Sequence, residues 1–152
     1  MNLEMMSSGA DMTRKIAFSL AGVLKRGSVL TLDGDLGAGK TTFTQGLAAG
    51  LGIASTVNSP TFNILKCYFD GKIPFYHIDA YRLEDRINDR IGLEEVIEGD
   101  GICAIEWACF IPDMIVDPLR IRIEIIDDAT RKISFSSDSE KYEAVFSVLK
   151  EM

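Results

Sequence analysis

The sequence predicts a single α/β domain with a mixed central β-sheet flanked by helices, and three observations carry that prediction. The first is the apolar run Ser28–Leu32, which passes through a glycine-rich turn into a helix-prone segment. The second is a series of short apolar or alternating runs, at 73–78, 102–105 and 119–125, separated by turn residues and charged helix-like stretches. The third is size: 152 residues at 47% hydrophobic suit one domain with a real core and leave little chain for a second catalytic one. No repeat, low-complexity tract or long Gly/Ser/Pro linker marks a boundary, so one domain is expected over 1–152, with about the first seven residues loose.

Ser7 and Ser8 are candidate caps for a first helix over roughly 11–25, where Ile16, Leu20, Val23 and Leu24 recur at helical spacing before Gly27. Ser28–Leu32 reads as a buried parallel strand, and Thr42–Ala49 carries mostly good helix formers until Gly50 and Gly52. Pro60 lacks a donor and pushes Ser59 away from helical geometry, which interrupts the pattern over Val57–Phe62. The β-prone run Asn63–Phe69, the turn signal Asp70-Gly71 and the run Ile73–Ile78 form a predicted antiparallel hairpin. Tyr81–Ile97 is charged and helix-like, with a break at Gly92, and Ile102–Ile105 is another short buried strand. Leu119–Ile125 alternates apolar and charged residues, the mark of a strand with one wet face. After Asp127-Asp128 comes a strand at Lys132–Phe135, and Ser137 with Glu140 forms a predicted capping box for a last helix ending near Lys150.

The glycine-rich turn carries the chemistry. Gly34, Asp35, Leu36, Gly37, Ala38, Gly39, Lys40 and Thr41 match Gly-x-x-x-x-Gly-Lys-Ser/Thr between a strand and a helix, which makes the domain P-loop NTPase-like. Successive backbone N–H groups in such a turn form an anion nest, and the helix behind it adds roughly half a positive charge toward bound phosphate. Lys40 is expected to reach the β and γ phosphates of a bound nucleoside triphosphate, the Thr41 hydroxyl to ligate Mg²⁺, and Thr42 to support it.

A phosphate loop alone binds nucleotide, whereas hydrolysis needs an acid at a neighbouring strand end. Glu106 follows the run Ile102–Ile105 and is the candidate metal ligand, with pairing to a nearby cation as the alternative; Asp79 follows Ile73–Ile78 and is the water-positioning carboxylate, a second metal-shell residue, or a cap for the segment at Tyr81. His77, the single histidine, reads as a satisfied strand residue, so no histidine metal cluster or catalytic triad is available. Trp107 stands at the site's edge, meets a partner, or fills core. Arg82, Arg86 and Arg90 fall on one ridge if 81–97 is helical; it either clamps phosphates, as in kinase lids, or, on the favoured reading, pairs with Glu84, Asp85, Asp89 and Glu94, with Arg82 the exception, close enough to Asp79 to face the site.

A net charge of −7 argues against unaided nucleic-acid binding. Cys67, Cys103 and Cys109 are odd in number and lack Cys-x-x-Cys spacing, so neither a disulfide framework nor a zinc site is expected. The start lacks a basic region and an apolar stretch, and nothing approaches the length of a membrane span; the expectation is a soluble, unprocessed, cytoplasmic protein.

In register along nearly the whole chain, Gly34–Phe43, Val57–Phe62, His77–Leu83 and Ile105–Trp107 resemble the TsaE (YjeE) family, the small ATPase of bacterial tRNA threonylcarbamoyladenosine synthesis. The resemblance implies ATP and Mg²⁺ as ligands, Thr41 and Glu106 as metal ligands, Asp79 as required for hydrolysis, and Ser59-Pro-Thr61 as a switch-like loop near the γ-phosphate. It implies adenine contacts from Gly9 and Ala10 and from a basic residue near the C-terminal hairpin, where relatives often show Gly-Arg and this chain offers Arg131 or Lys132. It also implies partner proteins TsaB and TsaD, with tRNA reached through that complex, and ATP hydrolysis that resets the complex between rounds. A small-molecule or nucleoside kinase shares the loop but needs more chain for a substrate pocket and lid. A switch GTPase lacks its Asn-Lys-x-Asp reader here. A non-hydrolytic nucleotide-binding adaptor is the non-enzyme alternative.

Overall fold

The computed structural model describes residues 1–60, 64–84 and 90–152. Among them, strands β1 (Asn2–Ser7), β2 (Val29–Asp33), β3 (Leu65–Tyr68), β4 (Phe75–Asp79), β5 (Ile102–Glu106), β6 (Leu119–Ile125) and β7 (Arg131–Ser136) hydrogen-bond into one sheet in the order β1-β7-β6-β2-β5-β4-β3. The centre is parallel: β2 pairs with β5 on one side and β6 on the other, and β5 pairs with β4. Both margins are antiparallel, β3 against β4 and β7 against β6 and β1. The sheet is mixed, as the sequence predicts, and the hairpin around Asp70-Gly71 forms with Leu65 opposite Ile78 and Tyr68 opposite Phe75.

Strand alternation sorts the core onto two faces. Leu30, Leu32, Ile102, Ala104 and Ile121 point one way and pack with Ile16, Leu20, Phe43, Leu47 and Phe146 of the helices α1 (Ala10–Ala21), α2 (Lys40–Gly50) and α4 (Glu143–Lys150). Val29, Cys103 and Ile105 point the other way and pack with Leu83, Leu93, Ile97 and Ile111, around the short helix α3 (Leu93–Ile97) and the 3₁₀ turns Ala108–Phe110 and Pro112–Met114. Cover on both sides explains why β2 and β5 read as continuous apolar runs, while β6, wet on one face, alternates. At the start of β2, where β6 does not yet reach, the Tyr142 hydroxyl accepts from the Val29 N–H at 2.9 Å and donates to the Val29 carbonyl at 3.1 Å.

α1 and α2 approach closely because Gly46 has no side chain; a Cβ there would run into the backbone of Arg14, and one at Gly50 would lie 2.7 Å from the Phe18 carbonyl. Gly46→Val is therefore expected to destabilise the fold by about 1–3 kcal/mol through overpacking, read as a lower urea midpoint with an unchanged slope.

Several expectations are corrected. The start is not loose: β1 pairs with β7 from Asn2 opposite Ser136 to Ser7 opposite Arg131, and its inward residues Leu3 and Met5 pack on the core. α1 ends at Ala21 rather than near residue 25, and its N-cap is Gly9, without a side-chain cap. The Ser7 hydroxyl donates instead to the Gly9 carbonyl at 2.8 Å and shares a hydrogen bond of 2.7 Å with Thr13. No helix begins at Tyr81 among the described residues; α3 starts only after Gly92, whose φ of 90° breaks any helix entering it. The remainder of that expected helix, with Asp85, Arg86 and Asp89 of the basic ridge and its partners, lies outside the described residues, as do Thr61, Phe62 and Asn63. Arg90 does not pair with Glu94: its guanidinium donates to the Leu83 and Phe110 carbonyls and meets Asp113 at 3.4 Å. No Ser137–Glu140 box caps the last helix: Ser139 accepts from the Lys141 N–H and caps the 3₁₀ turn Glu140–Tyr142, and α4 follows with Tyr142 at its N-cap and no side-chain cap.

Candidate functional site

β2 leaves the sheet at Asp33, and the chain turns through Gly34–Gly39 into α2 at Lys40. The turn needs glycine at two left-handed positions, Gly37 (φ 81°) and Gly39 (φ 111°). It needs Gly34 for a different reason: a Cβ there would lie 2.7 Å from the Ile123 carbonyl of β6. The Ala38 N–H closes the turn on the Asp35 carbonyl at 3.0 Å, and the Phe43 N–H bonds the Gly39 carbonyl at 2.9 Å as α2 begins. The free amides of that helix start give the loop its positive end.

Parallel registry brings the acids to the loop. Leu32 lies opposite Glu106 and Asp79 opposite Glu106, so the ends of β2, β5 and β4 are side by side. Lys40, Thr41, Asp79 and Glu106 all line one cavity of about 610 Å³, with Ser59 and Arg82 also on its wall. The expected position of Arg82 at the site is thus met, and Glu106 stands beside the loop as its strand predicts.

Lys40 Nζ is 3.6 Å from Glu106 Oε1 and 5.4 Å from the centre of the Trp107 ring. The other carboxylate oxygen, Oε2, accepts from His77 Nε2 at 2.8 Å. Burial pushes the Glu106 carboxyl up, but the His77 hydrogen bond and charge, together with Lys40, outweigh it and hold the group below its ordinary value. Asp79 goes the other way: burial, reinforced by the negative Glu106, raises its carboxyl against the Tyr81 N–H bond, His77 and Lys40. Asp79 also accepts the Tyr81 N–H at 2.9 Å, so the capping alternative and the cavity position hold together.

His77 is more than a satisfied core histidine. It is fully buried, its Nε2 is committed to Glu106, and Nδ1 has no hydrogen-bond partner. The sequence held a signal for this: His77 and Asp79 are two apart on β4 and share a face, so His77 sits diagonally across from Glu106. Trp107 is at the edge of the site rather than in the core. It is 39% exposed, holds a left-handed φ of 58°, and stacks on Phe110 at 5.8 Å with Tyr81 edge-on at 5.0 Å.

A second cavity, of about 290 Å³, opens on the other side of the loop between Gly9, Ala10, Thr13, Ala38, Thr42 and Arg131. Between the two basic candidates of the hairpin the structure distinguishes clearly. Arg131 shares a strand face with Ile133 and turns to the loop, donating from Nε to the Ala38 carbonyl at 3.0 Å, while Lys132 turns away and meets Glu4 at 3.8 Å. Among the described residues no group of three or more His, Cys, Asp or Glu is arranged to hold a metal by itself, and no helix is long and apolar enough to cross a membrane.

A family model described as threonylcarbamoyl adenosine biosynthesis protein TsaE matches residues 7–133. The chain belongs to the TsaE family. It is 50% identical over 132 residues to the Bacillus subtilis (strain 168) tRNA threonylcarbamoyladenosine biosynthesis protein TsaE, covering 86% of this chain and 83% of that one. The protein of the same description from Treponema pallidum (strain Nichols) is 39% identical over 135 residues, covering 84% and 96%. Among solved structures, the crystal structure of Bacillus subtilis YdiB superposes with a TM-score of 0.86 at 39% identity, covering 99% of this chain and 95% of that one. TsaE membership and the mixed-sheet fold agree with the resemblance carried by the four motifs.

Proposed function

We propose that this chain is the ATP-binding, Mg²⁺-dependent ATPase of the bacterial tRNA threonylcarbamoyladenosine modification complex, working with TsaB and TsaD and resetting that complex between rounds. The observation that carries the reading is the convergence of Lys40, Thr41, Asp79 and Glu106 on one cavity at the end of a glycine turn. A nucleoside in the second cavity, with Ala10 and Arg131 on its walls, is supported by Gly37, Gly39 and Thr42 bordering both cavities, which leaves room for a phosphate chain between them.

The donor set fits Mg²⁺. Thr41 and Glu106 supply hard oxygens to the same cavity, and among the described residues no group of three or more His, Cys, Asp or Glu gathers there, which suits a cation that fills its other positions with phosphate oxygens and water. Held by Thr41 and Glu106, it would act as a Lewis acid that draws off negative charge from the phosphates. The chain does the rest: Lys40 and the loop amides stabilise charge on the transferring γ-phosphoryl group, and Asp79 orients the water for in-line attack. Burial holds the Asp79 carboxyl above its ordinary value, the direction that suits a proton acceptor. The net charge of −7 supports tRNA being held chiefly by the partners.

The test is ATP hydrolysis with Mg²⁺ by the protein alone and after adding TsaB and TsaD, with and without tRNA. The expected result is turnover that emerges mainly with the partners. Turnover indifferent to them, with phosphate passed to an added acceptor, would establish a kinase; tight ATP binding without turnover under any condition would establish the adaptor.

A further inference from the structure

The β6–β7 hairpin touches the phosphate loop at two points, and neither is explained by the chemistry assigned above. Gly34 packs against the Ile123 carbonyl of β6, and Arg131 of β7 reaches the outer side of the turn. Arg131 is half-buried, and its Nε and Nη1 donors are spent on backbone oxygens. Nε donates to the Ala38 carbonyl, Nη1 to the carbonyls of Asp127 at 2.6 Å and Thr130 at 3.0 Å, and Nη2 approaches the Gly37 carbonyl at 3.5 Å. A guanidinium used in this way has its fork turned to the protein and little left for a phosphate or a base edge.

From this arrangement we infer that Arg131 is a positioning residue for the phosphate loop: by holding the Ala38 carbonyl outward, it aims the Gly39 N–H into the anion nest. The peptide bond is planar and trans, so its C=O and N–H point in opposite directions, and whatever fixes one fixes the other. The preceding peptide is already committed, because the Ala38 N–H bonds the Asp35 carbonyl. The 38–39 peptide has glycine at its far end, in left-handed conformation, and glycine resists rotation least. Arg131 is the external restraint on that peptide, and the Gly34 contact holds the hairpin at the distance this requires. The inference rests on the phosphate-binding reading of the loop and departs from a role for Arg131 in gripping adenine.

Pyrophosphate separates these roles because it has no base. Binding of Mg²⁺-ADP and of Mg²⁺-pyrophosphate is measured by calorimetry for the full chain, for Arg131→Gln and for the milder Arg131→Lys. Residual dipolar couplings report the direction of the Gly39 N–H in the ligand-free proteins. In Arg131→Gln both ligands are expected to lose affinity by the same factor, about 10- to 100-fold for one amide–phosphate bond, with Arg131→Lys between, and the Gly39 coupling is expected to change. Loss for ADP alone, or an unchanged Gly39 coupling, overturns the inference. Should the unaltered chain bind neither ligand, the nucleotide reading falls, and the Gly39 coupling still decides whether Arg131 steers the loop.

Discussion

Lys40→Ala is expected to lower ATP turnover in the presence of TsaB and TsaD by about 100- to 1,000-fold, the cost of removing one preorganised donor from a site where charge develops. Lys40 is the cation between the loop and Glu106, 3.6 Å from Oε1, and is placed on α2 one residue after the left-handed Gly39. On the proposed reading its loss removes a ligand for the β and γ phosphates, so nucleotide affinity is expected to fall with and without Mg²⁺, as titration calorimetry can follow. His77 still donates to Glu106 in this variant, which keeps the carboxylate satisfied on one oxygen. Full ATP affinity and turnover in Lys40→Ala would remove the phosphate role from the loop.

Glu106→Gln is expected to act differently: turnover falls by about 100-fold or more and loses its response to Mg²⁺, whereas nucleotide binding measured without Mg²⁺ is retained. Glutamine keeps the volume and one acceptor for His77 but gives up the negative oxygen that a hard cation requires. Mg²⁺-dependent turnover in this variant would exclude Glu106 as metal ligand. The same substitution has a signature in stability. The folded-state carboxyl of Glu106 lies below its ordinary value, so its contribution is present above the unfolded-state pKa and is lost as pH falls through the folded one. Acid unfolding of the wild type includes that loss, and Glu106→Gln lacks it.

Most of the site was legible because its parts are local or follow from parallel pairing. The loop is a contiguous motif whose glycine spacing has one mechanical meaning, and a buried strand ending in Glu106 placed its acid correctly once it lay beside β2. What the sequence did not reveal were relations across the sheet. The His77–Glu106 bond spans strands and is diagonal, so neither residue's neighbours announce it. Arg131 and Lys132 are adjacent in sequence, and only the register of β7 decides which faces the loop, since a shift of one residue inverts the faces. Asn2–Ser7 was read as loose because six residues are too short for alternation to stand out; pairing with β7 and the inward Leu3 and Met5 make it a strand. At 81–84 and 90–92 helix-favouring charge gives way to the left-handed Gly92 and to the packing of Leu83 and Leu93 under the sheet.

The Tyr142 hydroxyl gives the strand of the phosphate loop a debt to the far end of the chain. The stretch shared with the family model stops at residue 133, yet the first peptide groups of β2 are completed by a side chain nine residues later, on a segment outside that stretch. A fragment cut to the shared stretch would leave the Val29 N–H and C=O facing an apolar interior unpartnered at one side. The functional core and the foldable unit therefore have different borders: the first can be drawn around a motif, and the second must include the tail that seals it.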